Sequence, residues 1–139
     1  MSLVRFAGTT VAAFLAYGIL YTIGEMLIAG DMASMAAHTL PPEQTLVATL
    51  AYHLVQTIVF VWLFDKAVGS TDIKDGAVFG AMIGLYLMAS DSVWFTNLKD
   101  FPQDARMALS VMNIVFGAVV GIVVAKLHGI GRGEAADEG

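Results

Sequence analysis

The chain has 139 residues, of which 58% are hydrophobic and 14% are charged, and its mean hydropathy is +0.75. These values lie outside the usual range for soluble proteins and predict a chain whose solvent is lipid. A formal charge of −5 gives no basic footprint for nucleic acid, and the absence of cysteine excludes disulfides and thiol chemistry.

Four runs of the sequence are long and apolar enough to cross a hydrocarbon core of about 30 Å, which takes roughly 20 helical residues. The later connections are short, so consecutive helices are expected to be antiparallel. The sequence therefore predicts an all-α, integral membrane four-helix antiparallel bundle. The predicted spans cover approximately residues 3–28, 42–64, 76–97 and 105–127.

Lysine and arginine are unequally divided between the two faces of the predicted bundle. Five lie on the side of the termini and two on the other side, and the more basic side faces the cytoplasm by the general rule. We therefore expect a multi-pass protein of the plasma (inner) membrane with its N- and C-termini in the cytoplasm. The five are Arg5, Lys66, Lys74, Lys126 and Arg132, and the two are Lys99 and Arg106.

The first predicted helix carries two different faces, each repeating at steps of four residues. One face has small side chains that let another helix approach closely. The other aligns two tyrosines with a carboxylate, which indicates either a polar site or an aromatic anchor at the membrane interface. The small face is Gly8, Ala12 and Ala16, and the polar row is Tyr17, Tyr21 and Glu25.

The segment between the first two spans, residues 30–40, is too short to cross a membrane. Its apolar residues Met32, Met35 and Ala36 recur at helical spacing, which predicts a short interfacial helix. The pair of prolines that follows ends this helix and begins the second span, because proline is favoured in the first turn of a helix.

The second predicted helix has a polar stripe on an otherwise apolar surface. Polar side chains in hydrocarbon need partners, so the stripe is expected to face the inside of the bundle. The loop after this helix, residues 68–75, is short and rich in turn-forming residues, and predicts that helices two and three are antiparallel neighbours. The stripe consists of Thr45, Thr49, His53, Gln56 and Thr57.

Glycines recur at steps of four in both the third and the fourth predicted helix. Such faces allow helix backbones to pack closely. In helix three the same side continues to a carboxylate, Asp91, and in helix four it carries Asn113. The expected packing residues are Gly76, Gly80, Gly84, Gly117 and Gly121.

The run from Phe79 to Pro102, FGAMIGLYLMASDSVWFTNLKDFP, precedes a span that bears Asn113 and Gly117. Together with Asp91 and the Thr96-Asn97-Leu98 triplet, this pattern resembles the C-terminal half of families of uncharacterised four-helix bacterial integral membrane proteins. The resemblance implies a four-helix membrane fold without an established activity. Beyond it, residues 129–139 read GIGRGEAADEG, which predicts a disordered acidic cytoplasmic tail.

Polar residues of all four spans fall at a similar depth. Counted at about 1.5 Å per residue from the nearest charged end of each span, they lie roughly 9–15 Å inside the same, non-cytoplasmic half. An ionisable group at that depth costs about 3 kcal/mol on insertion scales, so the coincidence indicates a ligand or proton pocket. Plain interhelical hydrogen bonding or positions at headgroup level would place the same residues there. The predicted pocket consists of Glu25, His53, Asp91, Asn113, Tyr21 and Gln56.

Metal and catalytic chemistry find less support. Six methionines near the non-cytoplasmic half, with His38 and His53, would suit Cu(I), but methionine is a common filler of apolar space, so we expect no metal or cofactor. The sequence contains no His-Glu-x-x-His and no phosphate-binding loop, so an intramembrane enzyme would have to use His53 and Asp91. The methionines are Met26, Met32, Met35, Met88, Met107 and Met112.

The chain has more small-residue faces than the helix contacts within one small bundle obviously require. We therefore expect a small non-catalytic membrane protein that is a subunit of a larger membrane complex or a homo-oligomer. The alternative is a small-solute, ion or proton transporter or channel that uses the polar pocket. The expected partners are the lipid bilayer and another membrane protein or a second copy, and not nucleic acid.

Overall fold

The computed structural model describes residues 1–100 and 102–130, and these residues form helices and turns without a β-strand. Four helices are long and apolar enough to cross a membrane, which confirms the all-helical prediction and the number of long apolar helices. A short helix and a 3₁₀ turn follow the first of them. The helices are α1 (Leu3–Leu27), α2 (Ala29–Met35), α3 (Pro42–Ala67), α4 (Ile73–Thr96) and α5 (Gln103–Gly129), and the 3₁₀ turn is Ala36–His38.

Several helix ends are set by polar residues outside the apolar runs. The Ser2 hydroxyl accepts a hydrogen bond from the Arg5 backbone N–H, and the Asp72 carboxylate accepts one from the Lys74 N–H at 2.8 Å. These caps satisfy backbone donors that a helix start leaves unpaired. α4 therefore begins three residues before the predicted span, because apolar length alone does not reveal a polar cap.

The end of α3 and the end of the chain also differ from the predicted bounds. α3 continues to Ala67 and then turns at Gly69, whose φ of +59° favours glycine and whose N–H donates to the Phe64 carbonyl at 2.8 Å. α5 includes Gly129, the first residue of the predicted acidic tail. Ile130 follows as the residue at the end of the helix, and residues 131–139 of that tail lie outside the described residues.

α4 and α5 pack backbone against backbone along the glycine faces. A Cβ atom added to Gly80 would overlap the carbonyl oxygen of Gly117, and the same relation joins Gly76 to Gly121 and Gly84 to Asn113. Since residue numbers rise in one helix while they fall in the other, the two helices run in opposite directions. The two backbones stay close over several turns, so this is the most extensive helix contact among the described residues.

The remaining helices are arranged around that pair. α1 lies between α5 and α3, and its Gly24 meets the ring of Phe116. α3 touches α4 mainly through aromatic rings, with Phe60 and Phe64 against Phe79. The helices that the short loop joins are thus neighbours along the chain but make little contact, and a groove separates them.

The best-buried apolar residues lie at one end of the bundle, where α1 begins. Asp65 and His128 also lie at this end, which we name the Asp65 end. Val61 and Phe64 of α3 pack there with Val120 and Val124 of α5, and all four are 0% exposed. The opposite end, named the Lys99 end, holds the connection between α4 and α5.

Candidate functional site

A chain of hydrogen bonds connects three helices in the half of the bundle nearer the Lys99 end. The Tyr21 hydroxyl of α1 donates to Asn113 Oδ1 of α5 at 2.5 Å. Asn113 Nδ2 in turn donates to Asp91 Oδ2 of α4 at 3.3 Å. The buried amide thus uses both its acceptor and its donor, which satisfies a polar group that would otherwise be costly inside the bundle. We name Tyr21, Asn113 and Asp91 the polar chain.

His53 joins α3 to the polar chain through its ring. The imidazole stacks on Tyr21, with ring centroids 5.2 Å apart and planes inclined by 19°. His53 is half-buried, and its side chain lines a cavity. His53 and Asp91 are therefore linked indirectly, since Tyr21 and Asn113 lie between them.

Two members of the predicted pocket lie at its edge. Glu25 is exposed, and its charge acts electrostatically on Tyr21 and on His53. Gln56 is also exposed and lines the same cavity as His53. The structure thus brings Tyr21, His53, Asp91 and Asn113 together, with Glu25 and Gln56 beside them.

Arg106 extends this region towards the Lys99 end. Only 5% of it is exposed, its Nη1 donates to the Ser92 carbonyl at 3.2 Å, and its guanidinium lies 5.9 Å from the centre of the Phe95 ring. Its charge also acts on the Asp91 carboxylate. A cation inside the bundle close to a carboxylate partly compensates the cost of burying either charge.

The count of basic residues assigns Arg106 to the non-cytoplasmic face, yet the sequence contains a signal for its burial. Arg106, Ser110, Asn113 and Gly117 follow one another at steps of four, three and four, which is the spacing of one helix face. All four are buried in the structure. Extending the glycine face backwards along α5 identifies Arg106 as a packing residue.

A groove of about 320 Å³ separates α3 from α4 and has α1 as its floor. Four aromatic and five aliphatic side chains form most of its walls, and His53 and Gln56 add polar groups. Lining residues such as Val55, Val59 and Tyr86 are exposed, so the groove opens to the surface between α3 and α4. Its lining consists of Tyr17, Tyr21, His53, Val55, Gln56, Val59, Phe60, Leu63, Ile83, Tyr86 and Leu87.

Towards the Asp65 end, an aromatic block follows the polar chain. The Phe60 ring contacts Tyr17 edge-on at 6.1 Å and Phe79 at 5.1 Å, and Phe79 also contacts Phe64 at 5.4 Å. Edge-to-face rings of this kind fill space and supply no proton carrier apart from the Tyr17 hydroxyl. In one chain these rings lie between the polar chain and the Asp65 end.

A second polar cluster lies at the Asp65 end. The Asp65 carboxylate, 10% exposed, lies 3.6 Å from Nδ1 of His128 and 3.2 Å from the N-terminal ammonium of Met1. Lys66 also approaches it at 3.6 Å but is 62% exposed. Asp65 and His128 each lie one residue beyond a predicted span, 42–64 and 105–127, yet both belong to this cluster. His128 follows Gly121 and Val124 on the buried face of α5.

Comparison of the chain with models of protein families, with curated proteins and with solved structures finds no match. The resemblance of residues 79–117 to four-helix bacterial membrane proteins therefore stays a prediction. The site is defined by its geometry, which joins a satisfied polar chain to a mainly apolar groove.

Proposed function

We propose that the chain is a small, non-catalytic integral membrane protein that works as a subunit of a larger membrane complex or as a homo-oligomer. It lies in the plasma (inner) membrane as an antiparallel bundle, with α2 at the membrane interface and both termini in the cytoplasm. Four long apolar helices and the lysine and arginine distribution support this placement.

The observation that carries the proposal is the unequal use of the glycines. The glycine faces of α4 and α5 are consumed by each other, whereas a Cβ on Gly8 or Gly18 of α1 would meet no atom within 4 Å. Both glycines are exposed. Within the described residues, the glycines that no other helix covers are therefore Gly8 and Gly18 of α1 and Gly30 of the short helix α2. Among the four long helices, such glycines occur on α1, where another helix can approach closely.

Cysteine crosslinking in native membranes tests this assignment, and the chain offers a clean background because it has no cysteine of its own. Gly8→Cys and Gly18→Cys are expected to give crosslinked dimers or adducts with another membrane protein. Val78→Cys on the exposed face of α4, which is 65% exposed, is the matched control and is expected to stay monomeric. A strictly monomeric product for all three variants at several expression levels would contradict the proposal.

A second candidate function is transport of a proton, an ion or a small solute, and the polar chain is the observation that favours it. Ionisable residues inside a membrane span are usually functional, and here Asp91 is linked to His53 through two further polar residues. Because aromatic rings lie between the polar chain and the Asp65 end, a transport route would pass these rings or use a second copy of the chain. Proton flux into liposomes that is lost in both Asp91→Asn and His53→Ala would favour transport, while equal leakage with and without the protein would exclude it.

A further inference from the structure

The groove between α3 and α4 has the dimensions and chemistry of a small-molecule site. Its volume of about 320 Å³ falls within the range of known ligand pockets, roughly 300–1,000 Å³. Tyr17, Phe60 and Tyr86 supply flat apolar walls, and His53 and Gln56 supply hydrogen-bonding groups. Apolar walls with a few convergent polar groups are typical of pockets that orient a ligand.

Depth restricts which molecule can occupy this groove. His53 lies ten residues after Glu43 in α3, a rise of about 15 Å, which is the middle of a hydrocarbon core of about 30 Å. Phospholipid headgroups stay at the surface of the bilayer, and at this depth an acyl chain offers no group for His53 or Gln56 to bond. The occupant therefore carries a polar group that is itself soluble in the membrane interior. This step rests on the membrane placement proposed above.

Charge restricts the occupant further. The described residues that line the groove include no Asp, Glu, Lys or Arg, so a charged head would lose its hydration without a counter-ion in the walls. Glu25, whose charge acts on His53, is exposed and lies outside this lining. A neutral acceptor is different, because the imidazole of His53 and the amide of Gln56 can donate hydrogen bonds to carbonyl oxygens. Aromatic side chains such as Tyr86 favour stacking with a planar ring.

The groove is also polar at one end and apolar at the other. Leu63 lies ten residues beyond His53 along α3, about 15 Å away, and forms the apolar end with Phe60 and Ile83. The sideways opening between α3 and α4 leaves room for a hydrocarbon tail to continue into the bilayer. A ring with carbonyl groups at one end and a long apolar tail at the other matches this arrangement.

We propose that the groove between α3 and α4 binds the ring of a membrane-soluble quinone with an isoprenoid tail. The ring lies between the aromatic walls, His53 and Gln56 donate to its carbonyl oxygens, and the tail follows Phe60 towards Leu63. No redox step is required of the protein, whose role here is to hold the ring.

The test measures binding of a decyl-substituted benzoquinone to the purified full chain in detergent micelles, with empty micelles as the blank. Thermal unfolding is followed in parallel with 1-decanol and decylbenzene, which carry the tail without the carbonyl groups. We expect the quinone to raise the unfolding temperature and the two tail probes to leave it unchanged. An equal rise with all three probes would show that the groove takes any hydrocarbon chain, and would overturn the proposal.

Variants separate the walls of the groove from its polar end. Ile83→Trp fills the groove and is expected to abolish quinone binding, whereas Val78→Trp, on the exposed face of the same helix, is expected to keep it. His53→Ala and Gln56→Leu should each weaken binding roughly tenfold, the equivalent of one hydrogen bond. Full affinity in both polar variants would refute the assigned contacts even if Ile83→Trp failed to fold.

The outcome is independent of the assembly proposed for α1. Quinone binding by a chain that never crosslinks would support the ligand site and contradict the proposed function as a subunit or homo-oligomer. Crosslinking through Gly8 or Gly18 without any response to the quinone would do the reverse.

Discussion

The two helices beside α4 contact it in contrasting ways. On one side α5 approaches so closely that glycine backbones touch, as at Gly80 and Gly117. On the other side α3 meets α4 through the rings of Phe60, Phe64 and Phe79, and elsewhere a groove keeps the two helices apart. The close contact leaves no room for a ligand, whereas the ring contact leaves a cavity.

The contrast shows how residue size determines whether two helices in this fold pack closely or leave a groove between them. Small residues at steps of four let dispersion and weak backbone contacts accumulate along a whole interface. Large rings make a few strong contacts and separate the helix axes around them. We therefore expect α4 and α5 to behave as one rigid unit and α3 to be the helix whose position can change.

The largest expected loss of stability comes from breaking the close contact between α4 and α5. Gly80→Leu would place a side chain where the Gly117 carbonyl oxygen lies, and backbone cannot yield as a flexible side chain can. We expect a loss of at least about 3 kcal/mol in the free energy of unfolding, the upper part of the range for overpacking. Reversible unfolding by SDS in mixed micelles measures it.

Gly8→Leu is the matched control for this substitution. Gly8 is also a helical glycine, but a Cβ there would meet nothing within 4 Å, and leucine is the better helix former. The control is expected to be as stable as the original chain or slightly more stable. Equal losses in both variants would mean that glycine at these positions serves helix flexibility and not the contact between α4 and α5.

The second-largest loss of stability is expected from breaking the ring contact between α3 and α4. Phe79→Ala removes two edge-to-face pairs, each worth about 1 kcal/mol, while lipid can refill the apolar space. We expect a loss of about 2 kcal/mol. Spin labels on cysteines placed at Val55 and Met82, both exposed, should show a broader distance distribution between α3 and α4 in this variant.

Labels at Met82 and Val115 provide the internal control, since they report on α4 and α5. Their distance distribution should stay narrow in the Phe79→Ala variant. Val78→Ala, one residue earlier and 65% exposed, should change neither stability nor distances. Broadening of both distributions would contradict the idea that α3 moves independently of the other two helices.

The sequence predicts the close contact better than the open one, for a physical reason. Glycines such as Gly76, Gly80 and Gly84 repeat with the period of a helix, so they report a face directly. A short loop, by contrast, limits how far apart two helix ends are without fixing whether their sides touch. The separation of α3 from α4 depends on ring orientations that no repeat encodes.

The burial of charged residues is also only partly predictable from the sequence. Depth counting brings Asp91 and Asn113 to similar levels, and the structure connects them. Arg106 and Asp65 lie near the ends of apolar runs, where depth counting predicts contact with the membrane interface, yet both face inwards. Position along a helix estimates depth, but only the face distinguishes a buried ion from a solvated one, and the two criteria disagree at helix ends.

A smaller effect is expected from cutting the polar chain, which ties α1 to the rigid pair. Asn113→Ala removes the hydrogen bonds with Tyr21 and Asp91. Interhelical hydrogen bonds in membranes average about 0.6 kcal/mol, so the loss should be about 1 kcal/mol by SDS unfolding. Val115→Ala on the exposed side of α5 is the control and should be neutral. A double-mutant cycle with Tyr21→Phe that shows no coupling would remove the polar chain from the stability of the fold.

The smallest loss of stability is expected from Lys66→Ala at the Asp65 end, where charges attach α3 to the rest of the bundle. Lys66 lies 3.6 Å from Asp65 but is 62% exposed, and exposed ion pairs contribute little, so Lys66→Ala should cost less than about 0.5 kcal/mol. Asp65→Asn is the informative comparison, because it weakens the buried contact with His128 and should cost about 1–3 kcal/mol. Both are measured by SDS unfolding at low and high salt. If Lys66→Ala were the more costly change and salt abolished the difference, α3 would be held at this end by surface charge and not by the buried cluster.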